Sequence, residues 1–398
     1  METSFRGDFR LLILVGILVM VSIIMITSIG VPKSIELSAP NVLYPSCDDV
    51  AVDCYLLLKK HLIRMAVGLL GFFIASNISY KFWRGIAVPF FGVIFLLLLA
   101  VLFLGSTHNT FARSWLQFFD TSFQPTEMAK LAMTFYLAYW CEKKQKEIDT
   151  LHGGFIPFVT VVFFILLPVL LQPDVGSAFL MIGIAFGIFF VAGANVKHLL
   201  VSLFIGIFLA GTVVLSVPHI KNRFLAFLKP AAECREDYCW QSEQANIAVG
   251  SGGFFGRGLA QGVQKSYWLP QATDDFIFAA SAEELGFLRT FLIVLLYMMI
   301  GYRGYKIAGQ ASTMFGSLVA TGITTWILFQ AFLNIAVNIG LFPITGITLP
   351  FISYGGSSIL SLLIAVGVLY NISKNTDNAN SFHRRRNSGT HIAQYRRF

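Results

Sequence analysis

Charge is scarce in this chain: only 13% of its 398 residues are Asp, Glu, Lys or Arg, while 56% are hydrophobic and 15% aromatic, and mean hydropathy is +0.71. An ordinary soluble domain carries about a quarter charged residues, so this composition excludes one and points to lipid as the solvent. No repeat period stands out. The pairs Gln124-Pro125 and Gln172-Pro173 are too little to make an inverted transporter repeat. A dinucleotide fingerprint is lacking too, because Gly250, Gly252, Gly253, Gly256, Gly258 and Gly262 have the wrong spacing and no strand–turn–helix setting. The basic excess, a net charge of +8 and a pI near 9.2, is spread over short loops and a tail. It therefore reads as a set of topology determinants, and no nucleic acid is expected as a partner.

What the chain has in abundance is long apolar runs. An apolar helix needs about 20 residues to cross the hydrocarbon core. That rule predicts spans near residues 10–30, 61–78, 86–105, 128–141, 155–171, 174–193, 198–217, 286–302, 311–335 and 350–370. The fourth is short and is expected to begin earlier, near Gln124. The first follows Arg6 and Arg10 but is too long for a signal-peptide core and lacks a convincing cleavage site, so it is expected to be retained. Segments that fall on one side by alternation collect Lys and Arg: Arg6 and Arg10; Lys81 and Arg84; Lys143, Lys144 and Lys146; Lys197; Arg303 and Lys306; and the end of the chain. This places both termini in the cytoplasm. The expected fold is an all-α polytopic membrane protein of about ten transmembrane helices. Residues 1–370 form the membrane domain, with a large extracytoplasmic loop at 218–285 between spans seven and eight. Residues 371–398, rich in Asn, Ser and Arg, read as a disordered basic cytoplasmic tail.

The few cysteines agree with this sidedness. Cys47 and Cys54 fall in the first outer loop, Cys234 and Cys239 in the large one, and Cys141 at the inner end of the fourth span. Two disulfides, Cys47–Cys54 and Cys234–Cys239, are expected outside, with free thiols as the alternative. In the large loop, Asp274 and Asp275 stand before the apolar stretch Phe276-Ile277-Phe278. A carboxylate pressed against aromatic rings loses hydration and rises in pKa toward the range of a general base, although helix capping would also account for it. Glu127 and Lys130 are three apart on one helix face, with Arg113 and Asp174 near the same outer boundary. They form either a structural ion-pair network or a site for a phosphorylated, membrane-borne ligand.

Several long motifs then bear on family: Gln124-Pro125-Thr126-Glu127 through Leu131, Gln172 to Gly176, Gln241 to Gly262, Leu269 to Gly286, and Asn334 to Ser358 with PITGITLPFISYGGSS. On these the chain resembles the SEDS family of cell-wall polymerases, which includes FtsW, RodA and SpoVE, from about Trp115 to Tyr370. The resemblance implies a peptidoglycan glycosyltransferase of the bacterial inner membrane that polymerises lipid II and works with a class B penicillin-binding protein and other division or elongation membrane proteins. The family's essential aspartate carries over to Asp275, as general base on the acceptor 4-hydroxyl, with undecaprenyl pyrophosphate leaving under inversion. Arg113, Lys130 and Lys265 are the implied cations for that pyrophosphate; Glu127 would orient Lys130, and Asp174 would support the site. A divalent cation, Mg or Mn, is compatible with the chemistry, without a dedicated metal cage in the sequence, and no organic cofactor is implied. Gln271, Thr273 and Asp274 replace the family's Glu, His and Thr, so Asp274 is a candidate to share or displace the role of Asp275. The segment Gly262 to Pro270 looks more like the division type than the elongation type. A flippase for the lipid-linked precursor is the competing expectation, and an inert scaffold a third.

Overall fold

The computed structural model describes residues 7–40, 45–106, 114–118, 121–216, 218–228 and 237–394. Helix α1 (Phe9–Ile29) is strongly apolar after Arg10, and long enough at about 1.5 Å per residue to span a bilayer core. Asp8 caps it, accepting from the Leu11 N–H at 3.1 Å. A short helix α2 (Val31–Ser38) follows at once, and then α3 (Leu56–Asn77) and α4 (Tyr80–Leu104). The expected helical fold is interrupted by one small antiparallel hairpin, β1 (Leu116–Phe118) with β2 (Thr121–Phe123), pairing Leu116 with Phe123. Pro125, with no N–H to lose, opens α5 (Pro125–Lys143), so the short fourth span does begin earlier, as its sequence suggested. After a π-helical turn at Leu151–Phe155 come α6 (Ile156–Leu171), α7 (Val175–Val191), α8 (Val196–Ser216), α9 (Pro218–Leu228) and α10 (Asp237–Ser251). The chain closes with α11 (Ile277–Gln310), α12 (Met314–Asn338) and α13 (Gly356–Gln394).

Among the described residues, six helical stretches are long and apolar enough to cross a membrane (those of α1, α4, α6, α11, α12 and α13), and α7 is a shorter apolar helix. Helices α3, α5 and α8 coincide with the other expected spans, and α3 and α5 carry charges. The chain is a multi-pass membrane protein. One boundary differs from expectation: the expected span at 286–302 begins at Ile277 instead, with Gly286 a kink at φ +77° inside α11.

Antiparallel packing fixes which helix ends meet. At one end Asp8 pairs with Arg303, the Asp8 N–H bonds to Ser373, and Asn371 bridges the Tyr80 N–H and the Ser76 carbonyl. The starts of α3, α5, α7 and α11 therefore gather at the other end, with the loop between α12 and α13. Helix α12 runs through the middle, packed on α5, α7, α11 and α13. Close approach replaces hydrophobic drive here, as lipid tails are as apolar as leucine. At Gly322 a Cβ would lie only 2.6 Å from Thr134 Cγ2, so glycine lets α12 meet α5.

Candidate active site

Asp274 and Asp275 sit at the mouth of α11, on a turn rather than in a free loop. Gln271 takes φ +53°, and its carbonyl accepts from the Asp274 N–H (3.0 Å) and the Phe276 N–H (3.2 Å). Phe276 and Ile277 are fully buried, which fixes the depth of the turn, while both aspartates stay partly exposed. Three successive carbonyls are then taken by fixed donors. Thr273 O accepts from the Tyr354 N–H at 2.9 Å, and Asp274 O from Ser353 Oγ at 2.6 Å. Asp275 O accepts from both Asn334 Nδ2 (2.8 Å) and Asn338 Nδ2 (2.9 Å). Asn338 also receives the Ala279 N–H on its Oδ1 at 2.9 Å, so one side chain both holds Asp275 and caps the start of α11. Spaced four apart, Gln330, Asn334 and Asn338 share one face of α12, and that face binds the loop as well: Asn334 Nδ2 donates to Ile347 O (2.7 Å) and Gln330 Nε2 to Thr348 O (3.0 Å).

Within this frame Gly346, at φ +73°, faces the Asp275 carboxylate; a Cβ there would be 3.7 Å from Oδ2. The Pro343–Ser358 motif is thus a wall of the aspartate site, beyond any bending of helices. Burial, and then the neighbouring Asp275 charge, push the Asp274 carboxyl up to about 8, against the pull of Lys33 and Arg64. Its Oδ1 is buried without a hydrogen-bond partner among the described residues. Arg64 of α3 stacks over the Tyr354 ring at 4.7 Å.

A second polar cluster lies deeper, on the same face of α12. Lys130, 1% exposed, donates to Glu127 Oε1 at 2.8 Å and to Gln330 Oε1 at 3.4 Å, and lies 5.5 Å from the centroid of the Trp326 ring. Trp326 Nε1 donates to the same Gln330 oxygen at 2.7 Å. Asp174 caps α7 through the Ser177 N–H and accepts from Gln124 Nε2 at 3.3 Å. Helix α7 meets the loop directly, since a Cβ on Gly176 would lie 2.5 Å from Thr345 O. Gln330 and the loop residues therefore join the Glu127–Lys130 pair to the aspartate turn.

Lys265 stands elsewhere. Its Nζ is bound to Glu284 Oε1 at 2.7 Å and to Ser28 O at 3.1 Å. Glu284 Oε2 also accepts from Ser28 Oγ at 2.6 Å and from the Ala260 N–H at 3.2 Å. Glu283 takes the Val263 and Gln264 N–H groups at 2.9 and 3.0 Å. Both glutamates thus pin the glycine-rich loop onto α11, and Lys265 belongs to that fastening. Cys47 and Cys54 form a disulfide, Cys141 is free, and Cys239 is disulfide-bonded. Cys234, its expected partner, and Arg113 lie outside the described residues. Arg64, Lys33, Asn334 and Asn338 were not singled out from the sequence. An arginine inside a predicted span was the signal for the first.

Fold and site together define a polytopic helical membrane protein with a paired-aspartate site at one end of the bundle. The family model described as "Cell cycle protein" and named for FtsW, RodA and SpoVE matches residues 9–378, and the chain belongs to that family. It is 40% identical to the stage V sporulation protein E of Bacillus subtilis over 324 residues, 81% of this chain and 88% of that protein. It is 39% identical to a probable peptidoglycan glycosyltransferase FtsW of Trichlorobacter lovleyi, covering 79% of this chain and 83% of the relative. Among solved structures, a chain from work titled "Structural coordination of polymerization and crosslinking by a peptidoglycan synthase complex" matches with TM-score 0.75 and 26% identity, covering 94% of this chain and 99% of that one. The Thermus thermophilus rod shape determining protein RodA matches with TM-score 0.66 and 25% identity over the same shares.

Proposed function

We propose that this protein is a peptidoglycan glycosyltransferase that polymerises lipid II, with Asp275 as general base. The observation that carries the reading is the fourfold fastening of the Thr273–Asp275 carbonyls, which holds one carboxylate in a fixed place at the rim of the bundle. The acceptor sugar's 4-hydroxyl oxygen bonds to the donor's anomeric carbon, its proton passes to Asp275, and the bond from that carbon to the pyrophosphate oxygen breaks with inversion. Undecaprenyl pyrophosphate leaves with the bonding electrons. Asp274, largely neutral at physiological pH, serves as a hydrogen-bond donor to the sugar. Glu127, Lys130 and Asp174 support the site from within the bundle, through Gln330 and the loop between α12 and α13.

Among the described residues no three His, Cys, Asp or Glu gather into a metal-binding group. A divalent cation, Mg or Mn, would accordingly be held chiefly by the pyrophosphate oxygens. The basic residues that gather on alternate sides of the spans support an inner-membrane orientation with both termini cytoplasmic and the aspartate turn outside. A class B penicillin-binding protein is the expected cross-linking partner, in keeping with the polymerisation and cross-linking named for the similar synthase complex. The FtsW relatives and the Gly262–Pro270 segment favour a division role.

The test is polymerisation of purified lipid II by the reconstituted protein and its penicillin-binding partner. Asp275→Asn should abolish glycan strands, and Asp274→Asn should retain them at a reduced rate. Full polymerisation by Asp275→Asn would overturn the assignment. If no strands form with wild type while lipid II crosses vesicle bilayers, the protein is a flippase.

A further inference from the structure

A departing pyrophosphate needs cations to receive its charge, and a low-dielectric site makes each cation count. Two of the cations the sequence offered for this task are already committed. Lys130 is spent on Glu127, and Lys265 on Glu284 and Ser28. Lys33 pairs with Glu36 on an exposed surface. Arg64 enters none of the ion pairs formed among the described residues. It lies eight residues into α3 and three residues past the expected start of the span at 61, within the outer turns of a helix expected to cross the membrane. A guanidinium at that depth is costly to keep without a task.

Its setting is built from two sides. The Arg64 Cζ lies 4.7 Å from the centroid of the Tyr354 ring, and the stem fills a notch at Gly356, where a Cβ would sit 2.8 Å from Arg64 Cδ. Tyr354 is itself tied to Thr273 O, so the arginine rests on the residue that anchors the aspartate turn. The Tyr354 ring and hydroxyl hold the guanidinium beside the aspartate turn, and its five N–H donors exceed what that contact uses, which leaves donors for a ligand. The charge reaches the reacting region, since it is felt at Asp274.

We propose that Arg64 is the pyrophosphate-binding residue of this site, its stacked fork donating paired hydrogen bonds to the phosphate oxygens of the prenyl pyrophosphate as the glycosidic carbon lets it go. This rests on the glycosyltransferase reading above. The bidentate geometry suits Arg and not Lys, which presents a point charge.

The experiment measures binding of farnesyl pyrophosphate and of farnesol to the full-length protein in lipid nanodiscs, for wild type, Arg64→Gln and Arg64→Lys. Arg64→Gln should weaken farnesyl pyrophosphate by about tenfold or more, as expected for a lost charge-assisted contact, with farnesol unchanged. Arg64→Lys should fall between. Equal farnesyl pyrophosphate affinity in wild type and Arg64→Gln would overturn the proposal and leave Arg64 a counter-ion for Asp274. Parallel loss of both ligands would also overturn it, as the residue would then act through the shape of the site. A polymerising Asp275→Asn variant would sink the base assignment and leave this binding result to stand or fall alone.

Discussion

Asp274 stands directly beside the proposed base, and its surroundings make its protonation measurable. Its carboxyl, raised to about 8 by burial and by Asp275, keeps a proton in the folded chain where the unfolded chain has lost it. For an acid shifted upward, the contribution to stability is full below the ordinary Asp value of about 4 and declines as pH rises through the folded value. Asp274→Asn cannot ionise. Its melting temperature in detergent should therefore gain on wild type as pH is raised across that window, and the gain should level off above it. A difference constant with pH would show that Asp274 is ordinarily ionised. Residue-scale legibility was uneven. Asp275 was readable because its Asp-Phe-Ile-Phe context is local in sequence. Arg64 went unread because it lies near the start of an apolar run, where a charge is easily taken for a boundary marker. Lys265 was read as free to meet phosphate, but its partners Glu284 and Ser28 stand 19 and 237 residues away.

At the scale of elements, hydropathy found the helices because long apolar runs have few other solutions in lipid. It missed the first turns of α11 because Glu283 and Glu284 look like loop residues until their backbone and lysine partners are present. The kink separating those turns from the rest of α11 depends on Gly286. At φ +77°, with a Cβ that would fall 2.1 Å from the Gly256 nitrogen, no other residue fits. Gly286→Ala should destabilise the protein by at least the strain of one such backbone position, about 1–3 kcal/mol, and should release the glycine-rich loop to proteolysis. Gly250→Ala is the matched control. That glycine lies in α10 with nothing within 4 Å of an added Cβ, and alanine there should be neutral or slightly stabilising. Equal thermal shifts for the two would refute the packing account.

Across the whole molecule, the Glu127–Lys130 pair shows what sequence spacing can and cannot reveal. The two residues are three apart, so their pairing on α5 was legible. Their link to Gln330, and through it to Thr348 and the aspartate wall, spans some 200 residues and exists only in the packed bundle. A pair this buried contributes little net stability, because desolvation consumes most of its attraction, yet removing one partner strands the other. Glu127→Gln or Lys130→Met alone should therefore destabilise the fold, by about 3–5 kcal/mol on the scale of broken buried pairs, while the double variant should recover much of that loss. Activity should not follow stability. If the pair supports the lipid II site through Gln330, the double variant stays folded and polymerises poorly. A double variant that recovers both would make the pair purely structural and move the chemistry wholly to the aspartate turn and Arg64.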